Sequence, residues 1–180
     1  LVAALRDDSA VQLIATSRGA DRTPRPLDER YRSMDITAQA EVDAVFDAVE
    51  PDVVVHTAAM TNVDACELDP AACRLQNVTA TENLVRASKR LGSHFIHLST
   101  DFIFYGKNGP YREEDDAAPL SIYGHSKLEA ERAVMGAGLA KWAIARTIIV
   151  YGIAEGLSRS NVVLWAKSAL EKGQPIKVVD

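Results

Sequence analysis

Short apolar runs rich in β-branched residues alternate with helix-length amphipathic segments along almost the whole chain, and this alternation restricts the fold more than any other feature. Residues 11–16 (VQLIAT), 31–35, 52–56 (DVVVH), 95–98 (FIHL), 142–150 and 176–179 read as strands. Between them, 38–49, 70–91, 121–135 and 161–170 carry apolar residues at helical spacing, while 1–8 suits the last turns of a helix and 17–28, with Gly19, Pro24 and Pro26, reads as a loop. Strands joined through helices run parallel, so the expected fold is α/β: a doubly wound, mostly parallel Rossmann-like sheet with helices on both faces. The DVVVH run in particular predicts a strand covered on both sides. Thr37 is expected to cap the helix over 38–49, and Gly92 to stop the long helix before it.

The chain has 180 residues and a net charge of −5, with no stretch that gathers Lys and Arg into a stripe, so nucleic acid is not an expected partner. No apolar run approaches membrane-spanning length, so no membrane is expected and the cytoplasm is the expected compartment. Cys66 and Cys73 lie seven residues apart in a helical region, a separation of about 10 Å along one helix axis, which is too far for a disulfide. They read as reduced structural thiols, and no cluster of His, Cys or carboxylates predicts a metal site. The sequence starts at Leu1 and its first glycine is Gly19, so it reads as lacking its true N-terminus.

In such a fold ligands bind beyond the carboxyl ends of the strands, and the chemistry-bearing residues of this chain fall there. Thr100 leaves the end of the 95–98 strand, and Tyr123 and Lys127 share one face of the helix opening at Ser121, with Cβ atoms roughly 5–6 Å apart. A phenol beside an ammonium is a tunable acid: the positive charge is expected to lower the tyrosine pKa toward the operating pH. Together the three side chains suit holding a carbonyl oxygen and protonating it, with the hydride left to a cofactor. Arg18 stands where such a fold chooses between a ribose 2′-hydroxyl and a 2′-phosphate, and also reads as a solvated loop arginine. Asp35 suits an adenine amino group or a helix cap; Ala58 and Ala59 allow close approach of a ligand or close helix packing; Thr61 and Asn77 suit a ribose or the ordering of the site. His56 and His97 read as hydrogen-bonded core residues, His94 and His125 as surface residues, Trp142 and Trp165 as packing residues, and 113–116 as a solvated acidic loop.

HTAAMTNVDACE (56–67), LSTDFIFYG (98–106), SIYGHSK (121–127) and RTIIVYG (146–152) resemble, in order and spacing, the extended short-chain dehydrogenase/reductases, and most of all their dTDP-4-dehydrorhamnose reductase group. The resemblance implies that Tyr123 is the catalytic acid, that Lys127 tunes it and holds the nicotinamide ribose, and that Thr100 orients the substrate carbonyl. It implies that Ala58, Ala59 and Thr61 line the cofactor and that Asp35 and Ile36 flank adenine. The implied cofactor is NADP(H), with NAD(H) an alternative, and the implied substrate is a nucleotide-linked 4-keto deoxysugar. Residues 1–152 would form the dinucleotide-binding domain, without its first strand and glycine-rich turn, and 153–180 would begin the substrate-binding region. Near the sugar, the family's Ser-Thr-Asp-Tyr reads Ser99-Thr100-Asp101-Phe102, and Ile149 replaces a usual tryptophan.

Three other functions bear on the same motifs. A nucleotide-sugar dehydratase typically has Glu where Phe102 stands, and an epimerase usually prefers NAD, against which Arg18 argues. The reductase group is also similar to the non-catalytic regulatory subunit of methionine adenosyltransferase. A homodimer is among the assemblies the sequence leaves open.

Overall fold

The computed structural model describes residues 1–107, 109–148, 150 and 162–176. In order these form α1 (Val2–Leu5), β1 (Ala15–Ser17), β2 (Tyr31–Ser33), α2 (Gln39–Val49), β3 (Val53–His56), α3 (Val63–Leu68), α4 (Pro70–Arg74), a π-helical turn (Leu75–Thr79), α5 (Ala80–Leu91), β4 (His94–Thr100), α6 (Ile122–Gly136), β5 (Trp142–Thr147) and α7 (Val162–Glu171). All strand pairs are parallel, in a two-stranded sheet β1-β2 and a three-stranded sheet β3-β4-β5. The register sets His56 beside His97 and Thr100 beside Thr147, so β4 and β5 end together, three residues beyond the end of β3.

One face of the larger sheet carries the core. Phe95, Val54 and Ile144 meet Val42 and Phe46 of α2, Leu84, Val85 and Ala87 of α5, and Val134 of α6. Phe95 is completely buried, worth on the order of 2–3 kcal/mol relative to exposure. On β3 the side chains alternate: Val53 is 51% exposed and Val55 37%. The expected cover on both faces of this strand is therefore not met among the described residues, because α2, α5 and α6 all pack on the same side of the sheet.

Other boundaries differ for local reasons. The helix over 38–49 has Ala38, not Thr37, at its N-cap, and no side chain caps it. The Asp35 carboxylate turns the chain first by accepting from both Thr37 N and Thr37 Oγ1 at 2.9 and 2.7 Å, and Glu41 reaches back to Asp35 N at 2.8 Å. Gly92 closes α5 in the left-handed region at φ 75°, as a C-cap glycine should. Trp142 and Trp165 are each 42% exposed and are not core residues here. The expected domain boundary near 152, the strand beyond 176 and Ile149 lie outside the described residues.

Candidate active site

The site is built where β4 stops. Thr100, 5% exposed, ends the strand in extended backbone, and its Oγ1 accepts the Phe102 N–H at 3.2 Å, which starts the 3₁₀ turn Asp101–Ile103. That turn lies directly against the first turn of α6. A Cβ placed on Gly124 would stand 2.4 Å from the Phe102 carbonyl oxygen and 3.0 Å from Pro119 Cβ, so only glycine permits this approach. Ser121 Oγ caps the helix by accepting Gly124 N at 3.0 Å, and the helix then presents Tyr123 and Lys127, 8% and 3% exposed, on its inner face. The Phe102 ring meets the Tyr123 ring edge-on, with centroids 5.9 Å apart.

Lys127 is held by two neutral acceptors. Its Nζ donates to Leu98 O at 2.7 Å and sits 3.2 Å from His97 Nε2. An ammonium has three donors, so one N–H remains to be directed elsewhere. Burial pushes Lys127 down to about 8, with Glu131 pulling it back up. The two histidines are buried and neutral: burial and the Lys127 charge push His56 to about 3 and His97 to about 2, and His56 is tied to Thr81 Oγ1 at 3.1 Å. They are core residues, as their sequence position suggested.

The expected lowering of the Tyr123 pKa is not met. Burial pushes the phenol up, the Thr100 hydroxyl pulls it down, and the nearby Cys66, Asp101 and Cys73 push it up further. The ammonium expected to lower it is aimed at β4 backbone and His97 instead.

A second layer fixes this helix. Asn77, 1% exposed in the π-helical turn, accepts from Met60 N at 2.7 Å and donates to Met60 O at 3.1 Å and Ser126 Oγ at 2.9 Å, while Ser126 Oγ donates to Tyr123 O at 2.7 Å. Asn77 thus locks the loop after β3 to the backbone of Tyr123, and its own polar atoms are spent on that task. Cys66 and Cys73 are free thiols, but they do not lie apart along one helix. Asp69 and Pro70 break the segment into α3 and α4, which folds both thiols into one buried cluster with Tyr123. Burial, with Cys73 as the next influence, pushes Cys66 up to about 12.

The remaining candidates fall into two groups. At the ends of β1 and β2, Arg18 Nη1 lies 3.6 Å from Asp35 Oδ2, so these two are brought together; the Asp35 carboxyl is held below its ordinary range by Thr37 first. Ile36 is half-buried against the core, with its carbonyl bonded to Asn83 Nδ2. Ala58 and Thr61 are exposed and Ala59 is half-buried, leaving the loop beyond β3 open. Toward the other end, Phe102 is 53% exposed and Asp101 half-buried, while Ser99 is buried with an unpartnered Oγ. Among the described residues no cluster suits a metal ion, and no helix is long and apolar enough to cross a membrane. Sequence reading passed over Glu131, which is completely buried on α6 and paired with Arg146 of β5; its spacing of four from Lys127 was the available signal.

The profile of a family described as the RmlD substrate binding domain matches residues 2–180. Methionine adenosyltransferase 2 subunit beta of Pongo abelii is 38% identical over 143 residues, 79% of this chain and 42% of that protein. A dTDP-4-dehydrorhamnose reductase of Burkholderia thailandensis is 44% identical over 108 residues, 59% of this chain and 36% of that protein. Among solved structures, dTDP-4-dehydrorhamnose reductase of Bacillus anthracis in complex with NADP superposes with a TM-score of 0.71 at 28% identity, covering 82% of this chain and 54% of that one. The chain thus spans about half or less of the length of these proteins.

Proposed function

Because the chain belongs to the RmlD substrate binding domain family, with the fold of the extended short-chain dehydrogenase/reductases, we propose that it forms the nicotinamide-binding and catalytic half of an NADPH-dependent reductase acting on the 4-keto group of a nucleotide-linked deoxysugar. The observation that carries this reading is the convergence of Thr100, Tyr123 and Lys127 at the carboxyl end of β4. The bound cofactor supplies the hydride to the carbonyl carbon. The Thr100 and Tyr123 hydroxyls hold the carbonyl oxygen, and Tyr123 gives its proton to the alkoxide that forms there. The N–H of Lys127 left over from Leu98 O and His97 suits a ribose hydroxyl. A phenol raised by burial holds its proton until negative charge develops beside it, as an acid needs to.

The residues fit a dinucleotide along the strand ends. The open loop at Ala58, Ala59 and Thr61 allows close approach of a pyrophosphate or ribose, and Asp35 and Ile36, just beyond β2 and beside Arg18, suit the adenine. Arg18 is 70% exposed in a long pair with Asp35, and such a surface pair is worth little, so its guanidinium is available to a 2′-phosphate. This favours NADPH over NADH.

A second reading, cofactor binding without turnover, is favoured by the 38% identity to a methionine adenosyltransferase subunit. The deciding experiment follows nicotinamide absorbance in the full-length protein with a dTDP-4-keto-6-deoxy sugar. Oxidation of NADPH that Tyr123→Phe abolishes supports the reductase. Binding of NADPH with no oxidation, unchanged in Tyr123→Phe, sinks it and leaves the binding subunit.

A further inference from the structure

Glu131 is completely buried on α6, four residues beyond Lys127 and eight beyond Tyr123, so the three lie along one side of the helix. Both its oxygens are gripped by Arg146 of β5, Nε to Oε1 at 3.0 Å and Nη2 to Oε2 at 2.8 Å. The third nitrogen of that guanidinium, Nη1, donates to Glu113 O at 2.9 Å, and the guanidinium carbon lies 5.3 Å from the centroid of Phe104, whose ring stacks on Tyr111. Glu131 is wholly buried while the Arg146 side chain keeps 24% of its surface in solvent, so desolvating the carboxylate offsets much of the attraction and the pair is a poor stabilising device. Its location gives it another use.

Lys127 is charged, buried, and bonded only to neutral acceptors. The groups facing it are His97 and the Leu98 carbonyl from β4, His56 from β3, and Tyr123 and Glu131 from its own helix, with Arg146 of β5 behind Glu131. Both histidines are neutral and Tyr123 keeps its proton, which leaves Glu131 to supply negative charge. We propose that Glu131 is a positioning residue of the site: its carboxylate, fixed by Arg146, is the counter-charge that keeps the Lys127 ammonium in place, and Arg146 links that counter-charge to the loop carrying Phe104 and Glu113. The catalytic consequence rests on the reductase reading above; the effect on Lys127 does not.

The test measures Lys127 itself and activity separately, in the full-length protein. The Lys127 side-chain nitrogen, assigned by its loss in Lys127→Met, is titrated by NMR in wild type, Glu131→Gln and the double variant Glu131→Gln/Arg146→Met. Glu131→Gln leaves Arg146 as an uncompensated cation and should lower the Lys127 midpoint by roughly one pH unit, which is tenfold in its ionisation equilibrium. The double variant, with both charges removed, should fall between. The alkaline limb of kcat/KM should move in the same order, with little change at pH 6. A Lys127 midpoint unchanged in both variants overturns the proposal whether or not the protein turns over. If Glu131→Gln does not fold, the double variant decides alone: a midpoint equal to wild type overturns the proposal, and a lower one supports it. Loss of kcat/KM by the same factor at every pH, with the Lys127 midpoint unmoved, marks a merely structural pair and overturns it.

Discussion

Burying a charged Lys127 makes a stability signature that can be read without any substrate. Its pKa falls from the ordinary 10.5 to about 8 because burial disfavours the ammonium. At about 1.36 kcal/mol per pH unit, this corresponds to about 3 kcal/mol of destabilisation, and the side chain is only 3% exposed, so solvent does not screen it away. The folded-state value lies below the unfolded one, so the folded protein binds fewer protons between pH 8 and 10.5. The penalty is complete below pH 8 and fades as pH rises through that window. Lys127→Met removes the titrating group at every pH, and the donors it takes from Leu98 O and His97 are a loss that does not depend on pH. Between pH 7 and pH 10 wild type should therefore gain most of about 3 kcal/mol relative to Lys127→Met. In urea, with a slope of about 2 kcal/mol/M, the two midpoints should shift relative to each other by roughly 1–1.5 M. Urea melts of both full-length proteins at pH 7, 8, 9 and 10 make the measurement. Midpoints that move in parallel would refute a buried charge at this position.

Three other outcomes follow from the geometry. Gly124→Ala puts a methyl group 2.4 Å from a backbone oxygen, and should cost roughly 1–3 kcal/mol and lower the melting temperature by several degrees; an unchanged melting temperature would mean that the 102 turn does not rest on α6 as described. Cys66 is fully buried and raised to about 12, so a thiol-specific reagent at pH 8 should modify it only in denaturant, and rapid modification of the native protein would contradict its placement. Arg18→Ala should weaken NADPH binding about tenfold or more and leave NADH binding nearly unchanged by calorimetry; equal losses for both would remove Arg18 from the 2′-phosphate.

What the sequence made legible was local or periodic. The Tyr123–Lys127 face, the opening of its helix at Ser121 and the Gly92 stop depend on residues within four positions of one another, and each is found where it was expected. The parallel pairing of β3, β4 and β5 follows from alternation alone. What escaped depended on contacts distant in sequence. The two cysteines were placed along an unbroken helix, although Asp69 and Pro70 form an N-cap and first turn that fold one thiol back toward the other. The tyrosine pKa went the other way because burial pushes the phenol up, while the ammonium expected to lower it is bonded to residues 29 and 30 positions earlier. Val53 and Val55 have the composition of a two-sided core strand, and only the packing of three helices on one face shows that, among the described residues, the other side is left exposed.

The most direct test of hydride chemistry at Thr100, Tyr123 and Lys127 uses NADPH deuterated at the transferring position, with a dTDP-4-keto-6-deoxy sugar and the full-length protein. Mass spectrometry and NMR of the product report where the label goes. The expected result is one deuterium on the former carbonyl carbon with wild type and no labelled product with Tyr123→Phe. A sugar recovered without deuterium from wild type, or labelled as fast by Tyr123→Phe, would contradict the assignment of this site.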